Sequence, residues 1–286
     1  MPQVIIRRAA PEDAPACGAI CYQAFFDINS AHNFPPDLPS AEHAVGLLAM
    51  MFSHPGFYCV VAESEGRIIG SNCLDERSPI AGVGPITVVT DAQNAGAGRK
   101  LMEAVLGRAT ERNFAGVRLL QAAFHNRSLS LYTKLGFDAQ EPISTMQGKA
   151  IRKPMDGFHV RPALRSDLAA CNQLCSKVHG HDRGGELADA IEQGTAKVVE
   201  RGARITGYTS SMAFFGHSVG ETVGDIQALI SAADSFGGPG ILVPTRNAAL
   251  FRWCLQNGLR VQYPMTLMSV GMYQKPAGSF LPSILF

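Results

Sequence analysis

The sequence predicts an α/β protein built from two similar copies of one unit, each a sheet of mixed strand directions packed with helices. Three internal echoes in the same order lead there. Residues 6–21 align without gaps on residues 160–175, with identical pairs Arg7/Arg161, Ala9/Ala163, Asp13/Asp167, Ala16/Ala170, Cys17/Cys171 and Cys21/Cys175. Residues 60–70 and 198–207 both read as hairpins, and both end in Arg-Ile-x-Gly. Residues 131–137 and 253–259 each read as a helix that stops at glycine before an apolar strand begins.

Taken in order, each copy opens with a short apolar strand and a turn, and Asp13 or Asp167 then stands at the start of a helix as a cap or first-turn acid. One or more helices follow, then the hairpin, a strand, a Gly-containing turn, a helix, a strand, a second helix and a last strand. In the first copy the turn is 93–98; the second copy has no recognisable equivalent between its hairpin and Ile241. The stretch 147–157 is charged and holds two glycines and a proline, so the boundary is expected there, with domains at 1–150 and 158–286. A chain of 286 residues accommodates two such domains.

Composition narrows the function classes. Hydrophobic residues make up 46% of the chain, which excludes disorder, and a formal net charge of +1 gives no field for nucleic acid. No stretch approaches the roughly 18 apolar residues of a membrane span, and the arginines at 7 and 8 follow a very short apolar run, the wrong order for a secretory signal. A cytoplasmic protein is expected, binding neither nucleic acid nor membrane. The seven cysteines lack the spacing of a zinc site; Cys175, His179 and His181 come nearest. Buried free thiols and no metal are expected.

The turn after the strand 86–90 carries the chemistry. Its sequence, Gln93-Asn94-Ala95-Gly96-Ala97-Gly98, gathers unpaired backbone N–H groups at a helix start, where a phosphate is held with little help from side chains. A dinucleotide fingerprint needs a third glycine at Leu101, and a P-loop needs a hydroxyl residue after Gly-Lys; here Gly98 precedes Arg99, Lys100 and Leu101. What fits is the acyl-coenzyme A turn Gln/Arg-x-x-Gly-x-Gly/Ala, at Gln93, Gly96 and Gly98. Downstream, Asn126-Arg127-Ser128 and Leu131-Tyr132-Thr133-Lys134-Leu135-Gly136-Phe137 match the second signature of the same family. Over residues 86–137 the chain resembles the GNAT superfamily of N-acetyltransferases.

The resemblance implies two tandem GNAT-like domains, each a mixed, mostly antiparallel twisted sheet flanked by helices, with acetyl-CoA as acyl donor. Val88 and Val89 would pair through their backbones with the pantetheine arm, and a backbone N–H near Val89 would polarise the thioester carbonyl. Thr90 closes that strand. Backbone groups of Gln93, Asn94, Ala95, Gly96, Ala97, Gly98 and Arg99 would hold the pyrophosphate, and Asn126 would reach the pantetheine. Asn94-Ala95 departs from the family, which commonly carries glycine and a basic residue there. Tyr132 falls where the family carries its general acid; a phenol of pKa about 10 keeps its proton at neutral pH and can give it to a thiolate.

The general base stays open among Asp75, Glu76 and His125, with Glu76 taken for its reach. Residues 25–36, with Phe25, Phe26, Asp27, Asn29, His32, Asn33 and Phe34, mix apolar walls and polar groups as an acceptor pocket does. In the second copy Cys254 stands at the place of Tyr132, so that copy is read as degenerate, completing the sheet, walling the acceptor pocket, or both. The apolar tail 276–286 is expected to dock against a domain or, in a homodimer, a second subunit. The expected activity is direct acetyl transfer to a small primary amine or amino-acid-like acceptor. A peptide or protein amine, a tandem enzyme resembling mycothiol synthase, and a non-catalytic acyl-CoA sensor are the alternatives.

Overall fold

Both halves run through the same series of elements, except that the first has one additional short strand before its third helix. In the computed structural model, which describes residues 3–93 and 96–285, the first half comprises β1 (Val4–Arg8), α1 (Ala14–Ala31), α2 (Ala41–Ser53), β2 (Phe57–Ser64), β3 (Arg67–Asp75), β4 (Ile80–Val83), β5 (Thr87–Val88), α3 (Ala97–Glu111), β6 (Gly116–Ala122), α4 (Asn126–Lys134) and β7 (Asp138–Gln147). The second half repeats this with β8 (His159–Pro162), α5 (Leu168–His179), α6 (Gly184–Glu192), β9 (Lys197–Arg201), β10 (Arg204–Thr209), β11 (Ser218–Gly220), α7 (Val223–Ser231), β12 (Ile241–Pro244), α8 (Ala248–Gln256) and β13 (Arg260–Gly271). A last strand, β14 (Ser279–Leu281), has no counterpart in the first half.

The identical residues of the first echo have the same physical task in both copies. Arg7 grips Asp13 at 2.7 Å and Glu63 at 2.6 Å, and Arg161 grips Asp167 at 2.6 Å and Glu200 at 2.7 Å. Each aspartate also accepts a backbone N–H, from Ala10 or Leu164, at 2.8 Å. This ties the first strand to the hairpin and to the start of the first helix. The paired cysteines of α1 and α5 face the core, and all seven thiols are free and buried.

The halves are interlocked rather than placed side by side. One nine-stranded sheet has the order β1-β2-β3-β4-β6-β13-β7-β12, with β5 pairing β3, and a five-stranded sheet has the order β14-β11-β10-β9-β8. Thus β13 of the second half lies between β6 and β7 of the first, and β7 lies between β13 and β12. The exchange is reciprocal: each half lends its last strand to stand beside the other's β6 or β12. Among the described residues, all pairings between these strands are antiparallel except β4 with β6. Central β7 is buried from Ile143 to Met146, and β13 carries Tyr263, Met265, Leu267 and Met268 into the interior, where covering elements on both faces remove water from apolar side chains.

The apolar tail docks on its own chain. Strand β14 pairs with β11 in the register Ser218↔Leu281, Val219↔Phe280 and Gly220↔Ser279, and beyond it Ile284 N–H donates to Phe214 O at 2.8 Å. Among the described residues no helix is long and apolar enough to cross a membrane, and no group of three or more His, Cys, Asp or Glu is placed to hold a metal ion.

Candidate active site

The site begins where two strands part. Strand β4 pairs in parallel with β6 only as far as Gly82↔Arg118. The chain then passes Gly84 and Pro85 and returns to β3 as β5, with Gly70↔Val88 and Ser71↔Thr87. Strand β6 continues instead along β13, ending at Ala122↔Met265. The diverging edges open a cavity of about 690 Å³, lined on one side by residues 83–88 and on the other by residues 119–122.

Val88 and Val89 have different tasks on this edge. Val89 N–H donates to Ile69 O at 2.9 Å, so that donor belongs to the ladder with β3 and is not available to a carbonyl in the cavity. Peptide groups alternate along an antiparallel strand, which turns the N–H and C=O of Val88 away from β3 and toward the opening. The expectation of a free N–H near Val89 is therefore corrected to Val88, which lines the cavity; Val89 and Thr90 do not.

At the end of the opening, α3 starts without a side-chain cap. Gly96 holds φ +83°, a left-handed conformation that favours glycine, and the first backbone bond of the helix is Lys100 N–H to Gly96 O at 3.1 Å. The first-turn N–H groups of Ala97, Gly98 and Arg99 precede any helical acceptor and point outward with the positive end of the helix dipole. Asn94 and Ala95 lie outside the described residues. A Cβ at Gly98 would meet Leu131 at 3.7 Å and Val88 at 3.9 Å, ordinary contacts, so packing within the protein does not demand glycine there. The space it leaves opens on the cavity, as an anion cradle requires. Gly98→Val is expected to weaken coenzyme A binding at least about tenfold, roughly 1.4 kcal/mol, with little change in melting temperature. Calorimetric titration checks this, and unchanged affinity would count against the cradle.

Cations converge on the same end. Arg99 lines the cavity while its exposed guanidinium reaches Glu103 at 3.3 Å, a surface pair too weak to hold it against a phosphate. Arg127 and Lys134 also line it, and Arg127 donates to Gln93 Oε1 while Gln93 Nε2 donates to Val88 O at 3.3 Å. Sequence reasoning missed Arg127, whose relevance depends on α4 packing beside the turn.

Helix α4 supplies Tyr132, which is buried, lines the cavity and packs 6.1 Å from the Phe137 ring. Burial pushes its phenol up, so it is protonated throughout the neutral range. Its hydroxyl has no hydrogen-bond partner among the described residues. Asn126, the first residue of α4, is exposed and does not line the cavity. His125 does line it, and its Nδ1 accepts the Ser128 N–H at 3.2 Å, which leaves the proton of the neutral ring on Nε2. Burial and the nearby charges of Arg127 and His32 lower its pKa, so it is a neutral donor rather than a base.

Glu76 is not where a base is needed. Its oxygens are held by Arg108, at 2.7 Å from Nε and 3.2 Å from Nη2, and it does not line the cavity. Asp75 likewise binds Arg77, at 2.9 Å from Nε. The carboxylate that does line the cavity is Asp37, in the loop between α1 and α2. Tyr263 OH of β13 donates to it, burial raises its pKa, and hydrogen bonds from Tyr263 and Asn29 partly offset that rise. Of the residues anticipated for the acceptor pocket, Phe25 and Asn29 line the cavity. Phe34 backs it through ring contacts with Phe124 at 4.7 Å and Tyr263 at 5.8 Å, whereas Phe26 is exposed. The second half contributes Phe214, Phe215, Tyr263 and Met265, and the tail adds Ile284 and Leu285.

The equivalent place in the second half is filled by the chain itself. Strand β14 adds to β11 and lies against β12, where the first half leaves its opening between β4 and β6. Asn247, the cap of α8, donates to Ser279 Oγ of β14 at 3.0 Å. The start of α7 is closed by Thr222 and the fully buried Asp225, which accepts Thr222 N–H at 2.8 Å and sits 3.1 Å from Arg201. A carboxylate thus occupies the position of an anion, and buried Cys254 stands in place of the tyrosine.

Comparison with known proteins bears on the family and the fold. Residues 22–137 match the model of the acetyltransferase (GNAT) family. Over nearly the whole chain the fold is similar to a candidate acetyltransferase from Pyrococcus horikoshii, with a TM-score of 0.74, 18% identity, and 96% of this chain and 91% of that one covered. It is also similar to a GCN5-related N-acetyltransferase from Sphaerobacter thermophilus, with a TM-score of 0.62, 15% identity, and 95% and 96% covered. No curated protein sequence matches the chain. The chain therefore carries a GNAT-family acetyltransferase domain at residues 22–137. That domain makes it an acyltransferase.

Proposed function

We propose that the protein is an acetyl-CoA-dependent N-acetyltransferase that acetylates a small primary amine by direct transfer, with residues 1–150 as the working unit and residues 158–286 as a degenerate copy. The observation that carries this reading is one cavity lined by Val88, Gly98 and Tyr132 together. Backbone donors of Val88 and of the first turn of α3 fit a pantetheine arm and its pyrophosphate, with Arg99, Arg127 and Lys134 to balance the negative charge. Bound there, acetyl-CoA supplies a thioester whose carbonyl the amine attacks. The N–C bond forms, the C–S bond breaks, and Tyr132 gives its proton to the departing sulfur. Burial keeps water from competing for the acyl group. The second half serves the first by completing its sheet and walling its acceptor pocket.

Thiol release from acetyl-CoA across a panel of amines and peptides tests the reading. Acceptor-dependent release is expected. Coenzyme A binding without any such release would overturn the reading in favour of a non-catalytic sensor.

A further inference from the structure

One part of the cavity lining differs chemically from the cradle. Its walls come from α1, α2, β13, the 214–215 segment and the tail, and Phe25, Leu38, Phe214, Phe215, Ile284 and Leu285 make them apolar. Within these walls stands one ionisable carboxylate, Asp37, which accepts the Tyr263 hydroxyl. The cations that line the cavity, Arg99, Arg127 and Lys134, stand on α3 and α4, and none of the lining residues around Asp37 is lysine or arginine. A partly desolvated carboxylate attracts a single ammonium group. The same walls leave an acceptor's carboxylate without a counter-charge and leave the second ammonium of a polyamine without an acceptor.

We propose that the acceptor is a monoamine on an apolar, carboxylate-free body, an arylalkyl or branched alkyl amine, and that Asp37 binds its nitrogen and takes its proton. This rests on the acetyltransferase reading above and excludes the amino-acid-like acceptors within it. The bound ammonium first releases one proton to water by way of Asp37; as the neutral nitrogen then forms its bond to the acyl carbon and the C–S bond breaks, its spare proton passes to the Asp37 carboxylate and the Tyr132 proton to sulfur. The two groups return to their starting states by exchanging one proton through water. Raised by burial, the Asp37 carboxyl is a better proton acceptor than an exposed aspartate. Tyr263 reaches it from β13, so the second half orients the acceptor end of the first half's site.

The test measures thiol release from acetyl-CoA with 2-phenylethylamine, 3-methylbutylamine, phenylalanine and spermidine. For each of the two monoamines kcat/KM is expected to exceed that for phenylalanine or spermidine by at least about tenfold. Asp37→Asn is expected to lower kcat/KM for 2-phenylethylamine by about a hundredfold while coenzyme A affinity and melting temperature stay near those of the unaltered protein. Tyr263→Phe, which keeps the ring and the carboxylate, is expected to lose less than Asp37→Asn. Equal or better turnover of phenylalanine or spermidine overturns the acceptor class and leaves the acetyltransferase reading standing. Unchanged turnover in Asp37→Asn overturns the role of Asp37. Absence of thiol release with every amine and peptide overturns both.

Discussion

Tyr132→Phe is expected to lower kcat at least about a hundredfold, the usual scale of a positioned general acid, while the dissociation constant for coenzyme A changes by less than about twofold. The substitution keeps the ring that packs on Phe137 and removes only the hydroxyl that faces the cavity. That hydroxyl has no partner among the described residues, so its loss strands no buried donor or acceptor elsewhere. Melting temperature is therefore expected to hold. A variant that turns over like the unaltered protein removes Tyr132 from the chemistry; one that melts early marks the hydroxyl as structural. Steady-state thiol release, calorimetric binding and thermal melting together separate these results.

Ending the chain at Gly278 is expected to cause the largest loss of stability. The deletion removes Phe280, Leu281 and Leu285, all buried, and leaves an edge of β11 unpaired. Each such side chain contributes about 1.5–3 kcal/mol on burial, against a total stability of about 5–15 kcal/mol for a domain. The shortened chain should be insoluble or melt at least about 10 °C lower. A milder version, Phe280→Ala, should cost about 3–5 kcal/mol and remain measurable by chemical denaturation. Undiminished melting and solubility in both would mean that the tail contributes nothing to the fold. Ile284 and Leu285 also wall the acceptor pocket, so the same deletion is expected to raise the acceptor KM in any chain that still folds.

The two carboxylate assignments show why part of the site escaped sequence reasoning. Glu76 follows the end of β3, where its reach along the chain makes it a candidate base. What removes it is Arg108 on α3, thirty-odd residues away, which closes over both oxygens. Asp37 lies in the loop Pro35-Pro36-Asp37-Leu38-Pro39, whose composition suggests only a turn. Its place in the cavity depends on Tyr263, a residue of the other half, and on apolar walls gathered out of five separate elements. The misplacement of the free N–H at Val89 rather than Val88 is a one-residue register error. Alternation along a strand makes one residue the difference between facing β3 and facing the cavity.

By itself the sequence determined the order of the elements, and it singled out the internal echoes, the glycine turn and the tyrosine after it. Each of these depends on neighbours a few residues apart: helix periodicity, hairpin turns, glycine at a left-handed position, a signature read along one helix. The identical pairs Arg7/Arg161 and Asp13/Asp167 were legible for the same reason; that each arginine grips its aspartate is seen only in the folded chain. Only the tertiary structure decided that β13 stands between β6 and β7, that β14 fills the second half's slot, and that Asp37 meets Tyr263. Those outcomes depend on which strand edges find each other over long stretches of chain, and on which carboxylates packing leaves without a cation. Local sequence carries no record of either, because the energy resides in water removed between distant surfaces.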